Sequence, residues 1–130
     1  MKKLNCILLV DDLPADNHFL QMMIEEMNIA ENIKVALNGI DALNYLKNEN
    51  NIIPDLIFLD INMPKMNGWE FLEEYKKLDK NTKSKIVIVI LSTSINPDDI
   101  KKSEGIEEVS DFEVKPLDKD AIENILYKFF

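Results

Sequence analysis

One stretch decides the fold of this chain: DLIFLDINMPKMNG, residues 55–68. Its four consecutive apolar residues, 56–59, suit a strand buried on both faces and are too few for a helix. The run ends in a carboxylate, Asp60, and a loop that holds Pro64 leads to a helical pattern from Trp69. Open α/β sheets bind their ligands at the carboxyl ends of strands, so Asp60 occupies a position typical of a functional site.

The same order of strand and helix repeats along the rest of the chain. Apolar runs at 7–10 and 86–91 predict two more buried strands, whereas the alternation at 33–35 predicts a half-exposed edge strand. A short last strand is predicted at 112–114. Five strand–helix units in alternation predict a parallel sheet with right-handed crossovers and helices on both faces. No linker or change of composition divides residues 1–130, which we expect to form one domain.

Capping signals mark where the helices of these units begin. Pro14 suits the first position of a helix, and Asn38-Gly39 turns the chain into the second helix. Asn67 with Glu70 three residues later resembles a capping box for the third helix. Asn96-Pro97 followed by two aspartates indicates the start of a fourth helix. A fifth helix follows Pro116, so the sequence predicts five helices.

Composition excludes several classes of protein. The net charge of −9, from 15 basic and 24 acidic residues among 130, disfavours nucleic acid as a partner. Cys6 is the only cysteine, so no disulfide framework exists, and its apolar surroundings predict a buried thiol. No stretch has the ~18–20 apolar residues of a membrane span. The N-terminal apolar run is short, interrupted by Asn5 and followed by acids, which disfavours a secretion signal. We expect a cytoplasmic protein.

Polar groups end four of the five predicted strands. Asp11 and Asp12 follow the first, Asp60 the third, Ser92 the fourth and Lys115 the fifth. Parallel strands place all of these groups at one edge of the sheet. Three adjacent carboxylates repel unless a cation neutralises them, and an oxygen-rich site favours Mg²⁺. With the lysine and the hydroxyl, the site suits attack on phosphorus by a carboxylate.

The chain as a whole resembles the receiver domains of two-component response regulators. The motifs that carry the resemblance are LVDD at 9–12, Asp60-x-Asn62-Met63-Pro64-x-Met66-Asn67-Gly68, Leu91-Ser92 and Lys115-Pro116. The resemblance implies a doubly wound, flavodoxin-like α/β fold with a five-stranded sheet of order 2-1-3-4-5. The stretch DDLPADN at 11–17, together with LSTS at 91–94, also resembles stand-alone, chemotaxis-type regulators of the kind associated with bacteriophytochromes.

Roles for individual residues follow from the same resemblance. It implies that Asp60 accepts the phosphoryl group and that Asp11, Asp12, Asp60 and the backbone carbonyl of Asn62 bind Mg²⁺. Ser92 would bind a phosphoryl oxygen, and Lys115 would pair with the phosphoryl group after a cis Lys115–Pro116 bond. Ser92 and Phe112 would form the switch. Here Ser92 replaces the usual threonine, and Phe112 stands where tyrosine is more frequent.

The resemblance also implies partners. A sensor histidine kinase or a histidine phosphotransfer protein would donate the phosphoryl group. The chain would be a signalling domain rather than an enzyme, catalysing only its own phosphorylation and slow dephosphorylation. No output domain follows the fifth helix in this sequence, so we expect signalling through protein–protein interaction or phosphorelay. The docking surface would comprise the fourth helix, fifth strand and fifth helix, with no nucleic-acid or membrane partner.

Three other functions remain open from the residues alone. A phosphatase of the haloacid-dehalogenase type also uses a strand-end aspartate, but it usually needs an acid where this chain has Asn62. A flavin carrier shares the expected architecture, yet Asp11 and Asp12 would repel the flavin phosphate. A purely structural interaction module would not need five polar groups at one sheet edge. Flavin absorbance and metal-dependent labelling by acetyl phosphate discriminate among these alternatives.

Overall fold

The computed structural model of the protein describes residues 3–83 and 85–130. These residues form a five-stranded parallel sheet of order β2-β1-β3-β4-β5, which confirms the predicted fold class. The elements follow one another along the chain as β1 (Leu4–Val10), α1 (Pro14–Met27), β2 (Ala30–Ala36), α2 (Gly39–Lys47), β3 (Leu56–Asp60), α3 (Gly68–Tyr75), α4 (Lys80–Lys83), β4 (Val87–Ser92), α5 (Pro97–Glu104), β5 (Val109–Val114) and α6 (Lys119–Phe129).

The continuous apolar runs of the sequence form the centre of the sheet. All five residues of β3 are buried, and β3 lies between β1 and β4. Strand β2 is an edge strand with mostly half-buried or exposed residues, as its alternating sequence predicted. A strand buried on both faces must be apolar throughout, whereas an edge strand need not be.

The sheet separates two hydrophobic cores. Alternate residues of a strand point to opposite faces, so Ile57 and Leu59 enter one core while Leu56 and Phe58 enter the other. Helices α2 and α3 cover the first face, and α1 and α6 cover the second. Because helices cover both faces of the sheet, its carboxyl edge remains available for polar groups.

The fold differs from the sequence prediction in the number of helices and in the limits of several strands. The single turn α4 brings the helices among the described residues to six rather than five. Four residues are too few for a periodic pattern, and this turn begins after Asp79, whose side chain accepts the Asn81 N–H at 3.1 Å. Strand β5 begins at Val109 rather than at Phe112, because an irregular register opposite Ile88 and Val89 breaks its alternation.

Asparagine side chains cap α2, α3 and α5 at the positions that the sequence indicated. Asn67 and Glu70 form a complete capping box, in which Asn67 accepts the Glu70 N–H at 2.9 Å and Glu70 accepts the Asn67 N–H at 3.1 Å. Asn38 caps α2 and Asn96 caps α5. These caps fix where α2, α3 and α5 begin relative to the sheet edge. Among the described residues, no helix has the length and apolar character to cross a membrane.

Candidate functional site

Three aspartates converge where β1 and β3 end side by side. Asp11 and Asp12 directly follow β1, and Asp60 is the last residue of β3. Each offers one carboxylate oxygen, and these oxygens all lie within 4.8 Å of one another. Asp11 and Asp60 are buried, whereas Asp12 is half-buried. Strands β1 and β3 flank the point where the strand order reverses, which is where doubly wound sheets bind ligands.

The local backbone holds two of these carboxylates in place. Asp11 accepts the Leu13 N–H at 3.0 Å, which turns the chain from β1 into α1. Asp60 accepts the Asn62 N–H at 3.3 Å within the β3–α3 loop, residues 61–67. The same loop is tied back by the Gly68 N–H, which donates to the Ile61 carbonyl at 3.1 Å. The carboxylates are therefore positioned before any ligand arrives.

The charge of Asp60 is strongly perturbed. Burial is the largest cause and, with the nearby charges of Asp11 and Asp12, it raises the pKa of Asp60 to about 6. Lys115 and the Asn62 N–H act in the opposite direction. Such a raised pKa is expected for a buried carboxylate, because burial disfavours the charged form and neighbouring like charges add to the effect.

Lys115 reaches the same carboxylates from the fifth strand. It directly follows β5, its peptide bond to Pro116 is cis as the resemblance implied, and its ammonium group is largely buried. The ammonium hydrogen-bonds to Asp11 and to Asp16 and lies 3.7 Å from Asp60 Oδ1. Burial by itself would lower the pKa of Lys115, but these carboxylates raise it above the usual value. Lys115 therefore remains a cation in the site.

Ser92 lies on the neighbouring strand and is almost fully buried. Its hydroxyl donates to the Ser94 carbonyl at 3.0 Å, and its own carbonyl accepts the Lys115 N–H at 2.8 Å. Phe112, two residues before the end of β5, is half-buried and packs against the core under α2 and α3. Asn62 is exposed in the loop after Asp60. Thus the predicted residues other than Phe112 lie at the carboxyl ends of β1, β3, β4 and β5 or in the loop that follows β3.

The donor set fits a hard divalent cation. Three carboxylates within 4.8 Å supply only oxygen ligands, and oxygen is what Mg²⁺ prefers. Burial, together with the charges of Asp11 and Asp12, raises the pKa of Asp60, and a bound cation would favour its charged form. The residues therefore match the group that the sequence predicted.

Two residues of this region were not predicted from the sequence. Asp16 pairs with Lys115 at 3.0 Å, and the buried amide of Asn17 donates to the Asp11 carbonyl at 2.8 Å. Both lie in the first turns of α1, which begins beside the site. The available signal was Pro14, since a helix that starts there directs its next residues toward the strand end.

The fold and this pocket define a flavodoxin-like α/β protein with an acidic, lysine-containing site at the switch point of the sheet. The comparison with known families is more specific: the chain belongs to the family described as response regulator receiver domain, whose pattern matches residues 7–127. Receiver domains generally bind Mg²⁺ at an acidic pocket and interact with histidine kinases or phosphotransfer proteins. Membership of this family favours the receiver over the phosphatase and flavin-carrier alternatives.

Individual proteins agree with this assignment. The response regulator Rcp1 of Synechocystis is 36% identical over 98 residues, which cover 72% of this chain and 65% of Rcp1. The chain thus spans a little less than two thirds of that relative. A two-component response regulator from Cytophaga hutchinsonii superimposes with a TM-score of 0.87 at 32% identity, covering 98% of each chain. The bacteriophytochrome response regulator AtBRR gives 0.80 at 29% identity, over 98% of this chain and 93% of AtBRR.

Proposed function

We propose that the chain accepts a phosphoryl group on Asp60 in a Mg²⁺-dependent reaction and signals through contacts that depend on this phosphorylation. One observation carries the proposal: a buried Asp60 lies within 4.8 Å of two further carboxylates and 3.7 Å from a lysine ammonium. This arrangement supplies a nucleophile, a cation site and a fixed positive charge at one strand end.

The proposed chemistry is an in-line transfer to a carboxylate oxygen. An Asp60 oxygen attacks the phosphorus of a phosphohistidine on a sensor kinase or phosphotransfer protein. A P–O bond forms and the P–N bond breaks, with its electron pair going to the imidazole. Lys115 would neutralise charge on the transferring oxygens, and Ser92 would donate a hydrogen bond to one of them.

Deprotonation of Asp60 is the first requirement of this chemistry. With a pKa of about 6, the carboxylate is partly protonated in mildly acid solution and is then a poor nucleophile. Asp11, Asp12, Asp60 and the Asn62 carbonyl would hold Mg²⁺, which supplies charge neutralisation to the carboxylates and to the phosphoryl oxygens. The same proposal includes slow self-catalysed loss of the phosphoryl group, with the chain acting as a signalling domain rather than as an enzyme on other substrates.

The proposed output is a change of protein partners. Helix α5, strand β5 and helix α6 are connected to the site through Ser92 and Lys115, whose backbones are hydrogen-bonded at 2.8 Å. This connection supports the face formed by these three elements as the docking surface for a downstream protein. A cytoplasmic location is part of the same proposal.

Labelling with acetyl phosphate tests the proposal. We expect intact-mass analysis to show one added phosphoryl group on the wild-type protein with Mg²⁺, and none on Asp60→Asn. Asp98→Asn removes one charge from the exposed first turn of α5 and is the matched control, which should label like wild type. Stoichiometric labelling of Asp60→Asn, or labelling that a chelator does not reduce, would contradict the proposal.

A further inference from the structure

Lys115 is displaced toward α1 rather than toward the proposed phosphoacceptor. Its ammonium donates hydrogen bonds to Asp11 and Asp16, the latter at 3.0 Å. The nearest Asp60 oxygen lies at 3.7 Å, which is beyond a good hydrogen bond. The lysine therefore interacts most closely with the two carboxylates of the β1–α1 region.

Asp16 differs from the other carboxylates around Lys115. It is not one of the three aspartates that form the acidic cluster. Its side chain is 42% exposed, whereas those of Asp11 and Asp60 are 7% and 4% exposed. Removing its charge would therefore leave no buried group without a partner. Asp16 contacts the site through its ion pair with Lys115.

The Asp16–Lys115 pair borders a mostly apolar cavity. A cavity of about 60 Å³ lies between α1 and the sheet, with Asp16 and Lys115 in its wall. Apolar side chains such as Leu20, Met23 and Leu117 line the rest. These groups offer the ammonium no alternative partner, so its options are the carboxylates and any anion bound above Asp60.

We propose that Asp16 is a positioning residue that holds Lys115 on the α1 side and competes with the phosphoryl group for this lysine. The inference rests on the proposed function. In the resting protein the Asp16–Lys115 pair keeps the ammonium in the pocket. When a phosphoryl group occupies Asp60, Lys115 moves to its oxygens and the bond to Asp16 breaks. The first turn of α1 thereby senses whether Asp60 is phosphorylated.

Asp16→Asn tests this competition, because it keeps the shape of the side chain and removes its charge. Beryllofluoride with Mg²⁺ serves as the phosphoryl analogue, and its affinity is followed by Trp69 fluorescence. A partly exposed ion pair is worth little, so we expect binding about two- to fivefold tighter than in wild type. Glu25→Gln, an exposed charge removal on the same helix, is the control and should bind like wild type.

A second measurement requires no phosphoryl analogue. Urea unfolding of the metal-free wild type, Asp16→Asn, Lys115→Met and the double variant forms a double-mutant cycle. We expect non-additivity equivalent to about a two- to fivefold change in the folding constant. The same variants also extend the beryllofluoride assay. Once Lys115 is replaced by Met, Asp16→Asn should no longer tighten the binding of beryllofluoride.

The outcomes separate this inference from the function on which it rests. Wild type that binds no beryllofluoride would overturn the proposed function. Wild type that binds it, with Asp16→Asn binding no more tightly than Glu25→Gln, would overturn the competition alone. An additive unfolding cycle would show that the Asp16–Lys115 pair does not form in solution.

Discussion

Asp60 is a buried carboxylate whose ionisation destabilises the metal-free fold. The pKa of Asp60 is raised from 3.8 to about 6, so the folded state binds a proton more tightly than the unfolded chain does. Stability from this group is therefore present below about pH 4 and is lost as the pH rises through about 6. Ionised Asp60 therefore lowers the stability of the metal-free fold, and a bound cation would remove this penalty. The proposed phosphoryl transfer nevertheless requires the ionised form.

Asp60→Asn should consequently stabilise the metal-free protein at neutral pH. At pH 7.5 we expect the free energy of unfolding to rise by about 2–3 kcal/mol relative to wild type, with the difference shrinking toward pH 4. Urea unfolding in chelator across this pH range measures it, with Asp98→Asn as the control. A constant difference between Asp60→Asn and wild type at all pH values would show that Asp60 titrates normally.

Asp12 is the half-buried member of the acidic cluster and makes none of the ion pairs to Lys115. Because Mg²⁺ depends on few direct carboxylates, Asp12→Ala should weaken its binding about tenfold or more, equivalent to about 1.4 kcal/mol. Titration of Trp69 fluorescence with Mg²⁺ checks this value. Equal affinity in Asp12→Ala and wild type would remove Asp12 from the ligand set.

The β3–α3 loop holds Asp60 in place through close backbone packing at Gly68. A Cβ atom at Gly68 would lie 2.7 Å from the Ile61 Cα and 3.0 Å from the Asp60 carbonyl oxygen. Both neighbours are backbone atoms, which cannot move aside by a rotamer change. The glycine that ends the sequence motif is therefore required by packing beside Asp60.

Gly68→Ala should destabilise the protein by about 1–3 kcal/mol and slow the labelling of Asp60, since the loop must shift to accommodate the methyl group. Gly105→Ala is the matched control: the atom nearest its Cβ would be the Lys102 carbonyl oxygen at 3.5 Å, an ordinary contact. Urea unfolding and the acetyl phosphate rate measure the two effects. Gly68→Ala that behaves like Gly105→Ala would exclude this packing constraint.

Elements with strong local signals were predictable from the sequence, and those set by tertiary contacts were not. Uninterrupted apolar runs located β1, β3 and β4, and the Asn67–Glu70 box located α3. By contrast, the apolar side chain of Phe19 in α1 is 47% exposed, while the polar side chain of Asn17 is buried and donates to the Asp11 carbonyl. Periodicity cannot reveal such a bond.

The candidate site was likewise predictable only in part, because some of its features depend on the packing of the whole molecule. Parallel strands bring their carboxyl ends together, so topology alone was enough to place the three aspartates, Ser92 and Lys115 at one edge. It could not specify which carboxylates Lys115 contacts. That choice depends on the entry angle of α1, which places Asp16 at 3.0 Å from the ammonium. Distances between side chains require the packed structure.

We expect signal transmission across the molecule to depend on a change of hydrogen-bond partner at Ser92. Its hydroxyl now donates to the Ser94 carbonyl at 3.0 Å, at the start of the loop that leads to α5. Phosphorylated Asp60 would offer a charged acceptor instead. A hydrogen bond to a charged group is worth about 1.5–3 kcal/mol and a neutral one about 0.5–1.5 kcal/mol. The exchange should therefore gain only about 1 kcal/mol, a shift of about fivefold in population.

Release of Ser94 should loosen the loop before α5 and let Phe112 turn further into the core, since phenylalanine has no hydroxyl to desolvate. We expect beryllofluoride with Mg²⁺ to change amide chemical shifts across residues 94–116 and along α6, as well as near Asp60. Ser92→Ala should keep the changes near Asp60 and lose those in α5, β5 and α6. Shifts confined to the loops around Asp60 in wild type would mean that the signal leaves the molecule through a face other than the one formed by α5, β5 and α6.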